Sequence, residues 1–167
     1  SGTTNSLIEI SNYLYKKNPD GANEVINKLE KKYMQHVEEL YSTDEYKEKT
    51  REFLREEFKY MRSFTKDIFT SFEEKSIVAQ GEIMSTNMVL NYLQEQGIKA
   101  TLLSAFDFMR TDKNAEPDAQ YIKEKLTAIM TENEGYQIYI TQGFICLNAY
   151  GEIDNLQRGG SDFTASL

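Results

Sequence analysis

The sequence has little of what marks secreted, membrane or nucleic-acid-binding proteins. Its single cysteine, Cys146, cannot form an internal disulfide, which fits a reducing compartment and indicates a cytoplasmic protein. No apolar run is long enough to cross a bilayer. Lys and Arg number 19 against 27 Asp and Glu, giving a formal net charge of −8. Because nucleic acids and anionic membranes require a basic surface, neither is an expected partner.

Side chains suited to nucleophilic or metal chemistry are also scarce. The only histidine, His36, flanks the apolar stripe of a predicted helix, so we expect it to be structural or to face solvent. Cys146 lies beside a β-prone run and is predicted to be a buried thiol. The spacing of Asp107, Asp112 and Asp118 matches no EF-hand loop, so turn and capping roles are expected for them.

The first part of the chain is predicted to be helical. With 167 residues, 40% of them hydrophobic and 12% aromatic, the chain can bury the core of a single domain, residues 1–167. Apolar residues keep helical spacing over residues 22–40 and 54–72, with an N-cap cluster at residues 42–44. A third helix is predicted for residues 77–96, ending at Gly97. The long helical segment thus covers about residues 22–75.

The later part alternates between strand and helix patterns. Residues 98–103 and 136–140 are β-prone, and residues 117–130 between them read as a helix that ends before Gly135. This order predicts an α/β fold of layered αβα type with a largely parallel sheet. In such sheets ligands collect at the carboxyl ends of the strands, which is where residues 141–144 (Thr-Gln-Gly-Phe) fall.

A small-anion site is suggested near the end of the chain. Arg158 supplies a planar set of donors, and Gly159 and Gly160 allow close backbone approach to a ligand. Ser161 followed by Asp162 reads as an N-cap, whose helix would aim its first amides at the same place. These residues alone are equally compatible with a loop-to-helix turn that carries a solvated arginine.

Four motifs together resemble the aspartokinases. They are residues 1–5 (Ser-Gly-Thr-Thr-Asn), the Gly-Glu-x-x-Ser-Thr run at residues 81–86, the Thr-Gln-Gly-Phe run at residues 141–144, and residues 158–162 (Arg-Gly-Gly-Ser-Asp). They occur in the order that the family has, and the resemblance extends over the whole chain. In the family a Lys-Phe-Gly-Gly strand precedes the first motif, whereas this chain opens with that motif. We therefore expect a partial amino acid kinase domain. The adenine site and the regulatory ACT domains follow the last one, so the chain alone is expected to be inactive.

The resemblance implies a reaction and a set of site residues. The reaction is transfer of the ATP γ-phosphoryl group, with Mg²⁺ as companion ion, to the side-chain carboxylate of L-aspartate, in the biosynthesis of lysine, threonine and methionine. The resemblance also implies a homo-oligomeric parent enzyme. Glu82 and Asp162 are implied to bind the substrate ammonium and Arg158 its α-carboxylate, and these three are the expected catalytic groups. Thr4, Phe144 and Ser161 are implied to contact the substrate, with Thr4 in an opening loop.

Two alternatives stay open at the level of the sequence. One is another amino acid kinase that forms an acyl phosphate, although such an enzyme should lack the pair of motifs at residues 81–86 and 158–162. The other is a non-catalytic helical interaction module, suggested by the long amphipathic segments between residues 22 and 72.

Overall fold

A computed structural model describes residues 2–66, 68–157 and 159–167. It divides the chain into two compact units, Ser1–Gln96 and Gly97–Leu167. The first unit is helical, and the second contains the strands together with short helices. The single-domain assignment from sequence stays a prediction.

The first unit consists of four α-helices and one short 3₁₀ helix. They are α1 (Thr3–Tyr15), α2 (Pro19–Leu40), α3 (Asp44–Ser63), the 3₁₀ helix (Phe64–Lys66) and α4 (Ser71–Glu95). Apolar side chains from all four α-helices meet in one buried cluster that includes Ile10, Ile26, Phe58 and Met84. Their i, i+3, i+4 spacing puts them on one face of each helix, so burying that face removes apolar surface from water and stabilises the unit.

The predicted helices of this unit are confirmed at residues 22–40 and 77–96. α2 begins at Pro19, where the Asn18 side chain accepts a hydrogen bond from the Gly21 amide at 2.9 Å. α4 begins at Ser71 because Thr70 and Glu73 form a capping box ahead of the predicted start. Gly97, with φ of 76°, lies just beyond the end of α4, as the sequence predicted.

The helix predicted for residues 54–72 is wrong beyond Ser63. Ile68 and Phe72, which continue its apolar spacing, are 86% and 44% exposed. The capping box at Thr70 starts a new helix, and Phe64 lies in the 3₁₀ helix that follows α3. Periodicity alone missed this break because Phe64 still packs on the core from outside α3.

The second unit contains four strands and three helices. They are β1 (Ala100–Leu103), α5 (Ala105–Phe108), α6 (Ala119–Glu132), β2 (Ile138–Thr141), β3 (Ile145–Leu147), β4 (Ile153–Asn155) and α7 (Gly160–Ala165). β1 and β2 pair in parallel, with Ala100 opposite Ile138, while β3 and β4 form an antiparallel hairpin. The predicted strands at residues 98–103 and 136–140 are therefore confirmed, and so is their parallel pairing.

α6 begins at Ala119, two residues later than the predicted start at residue 117. Asp118 acts as its N-cap, with the Tyr121 amide 3.2 Å from the Asp118 carboxylate. Pro117 therefore precedes the helix. Within this unit the sequence did not reveal α5, β3 and β4, which have four, three and three residues, too few to show a period. In the first unit it did not reveal α1, which has 13 residues, because the start of the chain was expected to be a loop.

Candidate functional site

The candidate residues of the first unit begin at the start of α1. Gly2 adopts a left-handed conformation with φ of 99°, and the Ser6 amide donates to its carbonyl at 3.1 Å. Thr3 and Thr4 therefore form the first helical turn, which corrects the expectation that Thr4 lies in a loop. Thr4 is exposed. Because first-turn amides have no partner within a helix, this end offers N–H donors next to the Thr4 hydroxyl.

Glu82 is brought to this helix end by a close approach of α4 to α1. A Cβ on Gly81 would lie 3.2 Å from Leu7 Cδ1 and 3.7 Å from Thr3 Cγ2. Glycine inside a helix costs up to about 1 kcal/mol relative to alanine, and here its missing side chain lets the two helices meet. The next residue, Glu82, is half-buried. Thr4 and Glu82 are thus each one residue away from the pair Thr3 and Gly81, which meet where the two helices touch.

The Glu82 carboxylate has no cationic partner in the part of the chain that the structure describes. Its backbone carbonyl accepts from the Thr86 hydroxyl at 2.7 Å and from the Ser85 hydroxyl at 3.2 Å, but no described side chain binds the carboxylate itself. A partly desolvated carboxylate without a partner favours a positively charged ligand.

Sequence reasoning missed Tyr33 of α2. Its side chain is buried, and its hydroxyl lies 3.3 Å from the Thr3 hydroxyl. Burial raises the pKa of the Tyr33 phenol, the hydrogen bond with Thr3 lowers it, and the nearby Glu82 carboxylate raises it, so the net pKa is above the ordinary value. Tyr33 belongs to the apolar stripe of α2, so its spacing in the sequence indicated a residue of the hydrophobic core. The signal that was available is that a buried tyrosine needs a partner for its hydroxyl.

In the second unit, the turn after β2 has an unusual backbone. Phe144 has φ of 52°, and the Ile145 amide donates to the Gly143 carbonyl at 2.7 Å. A non-glycine residue with such a positive φ has a strained backbone, which its surroundings must hold in place. Gln142 is buried, and its side-chain oxygen accepts from the Ala105 amide at 2.8 Å. These bonds hold the half-buried Phe144 at the carboxyl end of the strand.

The Gly-Gly-Ser-Asp segment packs directly against this turn. A Cβ on Gly143 would lie 3.0 Å from Ser161 Oγ, and one on Gly160 would lie 3.2 Å from Phe144 Cβ. Two motifs that are far apart in sequence thus meet backbone to backbone. Phe144 and Ser161 lie close together, and Asp162 follows in the same helical turn.

Ser161 is not the N-cap that the sequence predicted. α7 begins at Gly160, and Gly159 is its N-cap with φ of 88° and no side-chain cap bond. Glycine adopts this left-handed conformation without steric cost, so the helix begins before Ser161. Ser161 and Asp162 are exposed in the first turn. Arg158 lies outside the described residues, so its predicted position is not located.

The other polar residues singled out from the sequence have structural partners. The Asp112 carboxylate accepts from the Asn114 and Glu116 amides, and Asp118 caps α6, which confirms their turn and capping roles. Cys146 is buried, and His36 is exposed with its Nδ1 3.6 Å from Glu39.

No cluster of three or more His, Cys, Asp or Glu side chains suited to a metal ion is present among the described residues. None of the helices in the described ranges combines the length and hydrophobicity needed to cross a bilayer.

Comparison with protein families gives a match over the whole chain. The model of the amino acid kinase family matches residues 1–167. Lysine-sensitive aspartokinase 3 of Escherichia coli (strain K12) is 38% identical over 96 residues, which cover 54% of this chain and 21% of that protein. An aspartokinase of Chlamydia muridarum (strain MoPn / Nigg) is 33% identical over 99 residues, covering 57% and 22%. The matched regions are about a fifth of the length of these relatives.

Solved structures show the same fold. E. coli aspartokinase III in complex with aspartate and ADP (R-state) matches with a TM-score of 0.79 and 24% identity, over 99% of this chain and 37% of that chain. Clostridium acetobutylicum aspartate kinase matches with a TM-score of 0.72 and 20% identity, over 98% and 33%. At these identities the likeness supports the fold alone, and it confirms the predicted α/β class.

Proposed function

Since this chain belongs to the amino acid kinase family, we propose that it forms the aspartate-binding part of an aspartokinase. The proposed reaction joins a side-chain carboxylate oxygen of L-aspartate to the γ-phosphorus of ATP and breaks the bond from that phosphorus to the β,γ-bridging oxygen. The products are 4-phospho-L-aspartate and ADP. The aspartate side chain has a pKa of about 3.9, so the nucleophile is already ionised near neutral pH and needs no general base. Phosphoryl transfer then depends on positioning and charge stabilisation.

The observation that carries the proposal is the contact of α1 with α4 at Thr3 and Gly81, which places Thr4 and Glu82 each one residue from the touching pair. The Glu82 carboxylate, half-buried and without a described cationic partner, suits the substrate's α-ammonium group. The Thr4 hydroxyl and the first-turn amides of α1 suit a carboxylate oxygen. A group that recognises an ammonium beside one that recognises a carboxylate is what an amino-acid substrate requires.

The second unit supplies the remaining proposed contacts. Phe144 and Ser161 are proposed to contact the substrate, and Asp162 is proposed to bind its ammonium group together with Glu82. Arg158 is proposed to bind the α-carboxylate through two parallel hydrogen bonds, which fix orientation as well as charge. ATP enters as the second substrate, with Mg²⁺ as its proposed companion ion, which would be held mainly by the phosphate oxygens.

The test is aspartate-dependent ADP formation by the full-length protein that carries this sequence. We expect Glu82→Gln and Arg158→Ala each to lower kcat/KM for aspartate by an amount equivalent to about 2–4 kcal/mol, because each removes a charged contact. Glu52→Gln is the matched control, since Glu52 is an exposed carboxylate on α3. The chain of 167 residues alone is expected to form no ADP.

The outcomes separate the alternatives. Activity that falls in both site variants and not in the control supports the proposal. Unchanged kinetics in Glu82→Gln would remove the role given to that residue. Use of L-glutamate or N-acetylglutamate in place of aspartate would favour another acyl-phosphate-forming kinase, and absence of any amino-acid binding would favour an interaction module.

A further inference from the structure

Tyr33 contacts Thr3, the residue that precedes the proposed carboxylate contact Thr4. Its hydroxyl lies 3.3 Å from the hydroxyl of Thr3, the residue before Thr4, and its ring belongs to α2. The ring packs edge-on against Phe58, with the centroids 5.8 Å apart. Three helices therefore meet at this point: α1 through Thr3, α2 through Tyr33, and α4 through Gly81, whose Cβ position is 3.7 Å from Thr3 Cγ2.

We propose that Tyr33 is a positioning residue for aspartate: its hydroxyl holds the first turn of α1, and with it Thr4, against α4 at Glu82. This inference rests on the proposed function, because it assigns Tyr33 to the same site. Tyr33 acts through Thr3 and is not proposed to touch the substrate.

The start of α1 needs such a restraint. No described side chain caps this helix end, and Gly2 before it is the most flexible residue type. Helix ends without caps fray, and a displacement of about 1 Å at a reacting group can cost about 100-fold in rate. A hydrogen bond between Thr3 and a tyrosine hydroxyl whose ring is fixed in the core is therefore an effective way to set the position of Thr4.

The same geometry predicts that loss of the hydroxyl has little effect on folding. Thr3 is half-exposed, and together with Tyr33 it borders an open depression of about 200 Å³. Water can therefore replace the lost partner of Thr3, and the Phe ring keeps the packing on Phe58. Removing the hydroxyl should change substrate geometry more than stability.

The experiment compares two tyrosine-to-phenylalanine changes in the full-length protein. Tyr33→Phe should raise KM for aspartate about 10-fold, the equivalent of one hydrogen bond, and leave KM for ATP unchanged. Tyr41→Phe is the matched control: the Tyr41 hydroxyl is buried and donates to the Met88 carbonyl at 2.7 Å, away from Thr3. It should lower stability to urea while leaving KM for aspartate unchanged.

A third variant tests whether Tyr33 acts through Thr3. Thr3→Val should raise KM for aspartate to a similar extent, and the double variant Tyr33→Phe/Thr3→Val should be no worse than either single one, because both remove the same bond. Additive effects would contradict the proposed link.

The results distinguish the positioning role of Tyr33 from the proposed function. If the unsubstituted protein uses aspartate and Tyr33→Phe behaves like Tyr41→Phe, the positioning role is wrong and the proposed function stands. If the unsubstituted protein forms no ADP with aspartate, the proposed function fails and the positioning role fails with it. A rise in KM for both aspartate and ATP would indicate a general structural defect and would also overturn the role.

Discussion

Alanine at Gly160 should disturb the contact between α7 and the Phe144 turn. The new Cβ would lie 2.5 Å from Leu156 Cβ and 3.2 Å from Phe144 Cβ. Overpacking of this kind typically costs about 1–3 kcal/mol, while alanine regains about 0.5–1 kcal/mol over glycine within a helix. Because the Leu156 Cβ at 2.5 Å cannot rotate away, the cost falls in the upper part of that range, about 2–3 kcal/mol, and a gain of up to about 1 kcal/mol leaves a net destabilisation of about 1–2 kcal/mol.

The assay is hydrogen exchange at the Leu156 amide, which donates to the Phe144 carbonyl at 2.7 Å. This proton exchanges when the contact opens, so a loss of about 1–2 kcal/mol should speed its exchange by about 5–30-fold. Unchanged or slower exchange in Gly160→Ala would refute the reasoning.

Two changes at Leu156 locate the clash. Leu156→Ala retains the Cβ at 2.5 Å, so it should not relieve the effect of Gly160→Ala. Leu156→Gly removes that Cβ and should relieve it, which a double-mutant cycle would show as a favourable coupling. Gly159→Ala is the control, since its Cβ position has nothing within 4 Å and its cost comes from φ of 88°. Leu156→Gly should therefore not relieve Gly159→Ala.

Further predictions concern the packing and charges of each unit. Thr50→Val should lower the free energy of unfolding in urea by about 1–3 kcal/mol, because it leaves the buried Asn91 amide, 3.0 Å from the Thr50 hydroxyl, without its partner; a change below about 0.5 kcal/mol would contradict this. The Arg110 guanidinium, 2.6 Å away, and then the Tyr121 amide hold the pKa of Asp118 below its ordinary value. A carboxylate with a lowered folded-state pKa stabilises the protein above its unfolded-state pKa of about 3.9 and loses that effect as pH falls through the folded value. Asp118→Asn should therefore be less stable than the unsubstituted protein at pH 7, and the difference should shrink below about pH 4; a constant difference down to pH 2 would contradict this.

The structure also shows where local sequence signals were insufficient. Residues 22–40 could be predicted because one apolar face persists over five turns, whereas the break after Ser63 depends on a capping box that competes with a continuing apolar period. α1 was missed as a whole because Gly2 and the two threonines at its start resemble a loop, although Leu7, Ile10 and Leu14 behind them keep helical spacing. The Ser161 N-cap was wrong because Gly159, at φ of 88°, begins the turn earlier.

For the candidate site, the sequence supplied the residue types, and the fold supplied their neighbours. Thr4, Glu82, Phe144, Arg158, Ser161 and Asp162 were named from motifs in the chain. No motif revealed that Gly81 lies against Thr3, or that Gly143 lies against Ser161. Tyr33 had the spacing of a core residue, and only its distance from the Thr3 hydroxyl distinguishes it from the others in that stripe.

The sequence by itself determined the long helices, the two paired β-strands and the family, because helical and strand periods and short ordered motifs are properties of neighbouring residues. The tertiary structure decided which helix ends and turns come together. That depends on side-chain volume at contacts between residues far apart in the chain, such as the missing Cβ at Gly81 and Gly160. Packing at such contacts is set by atoms in three dimensions, and no local period carries it.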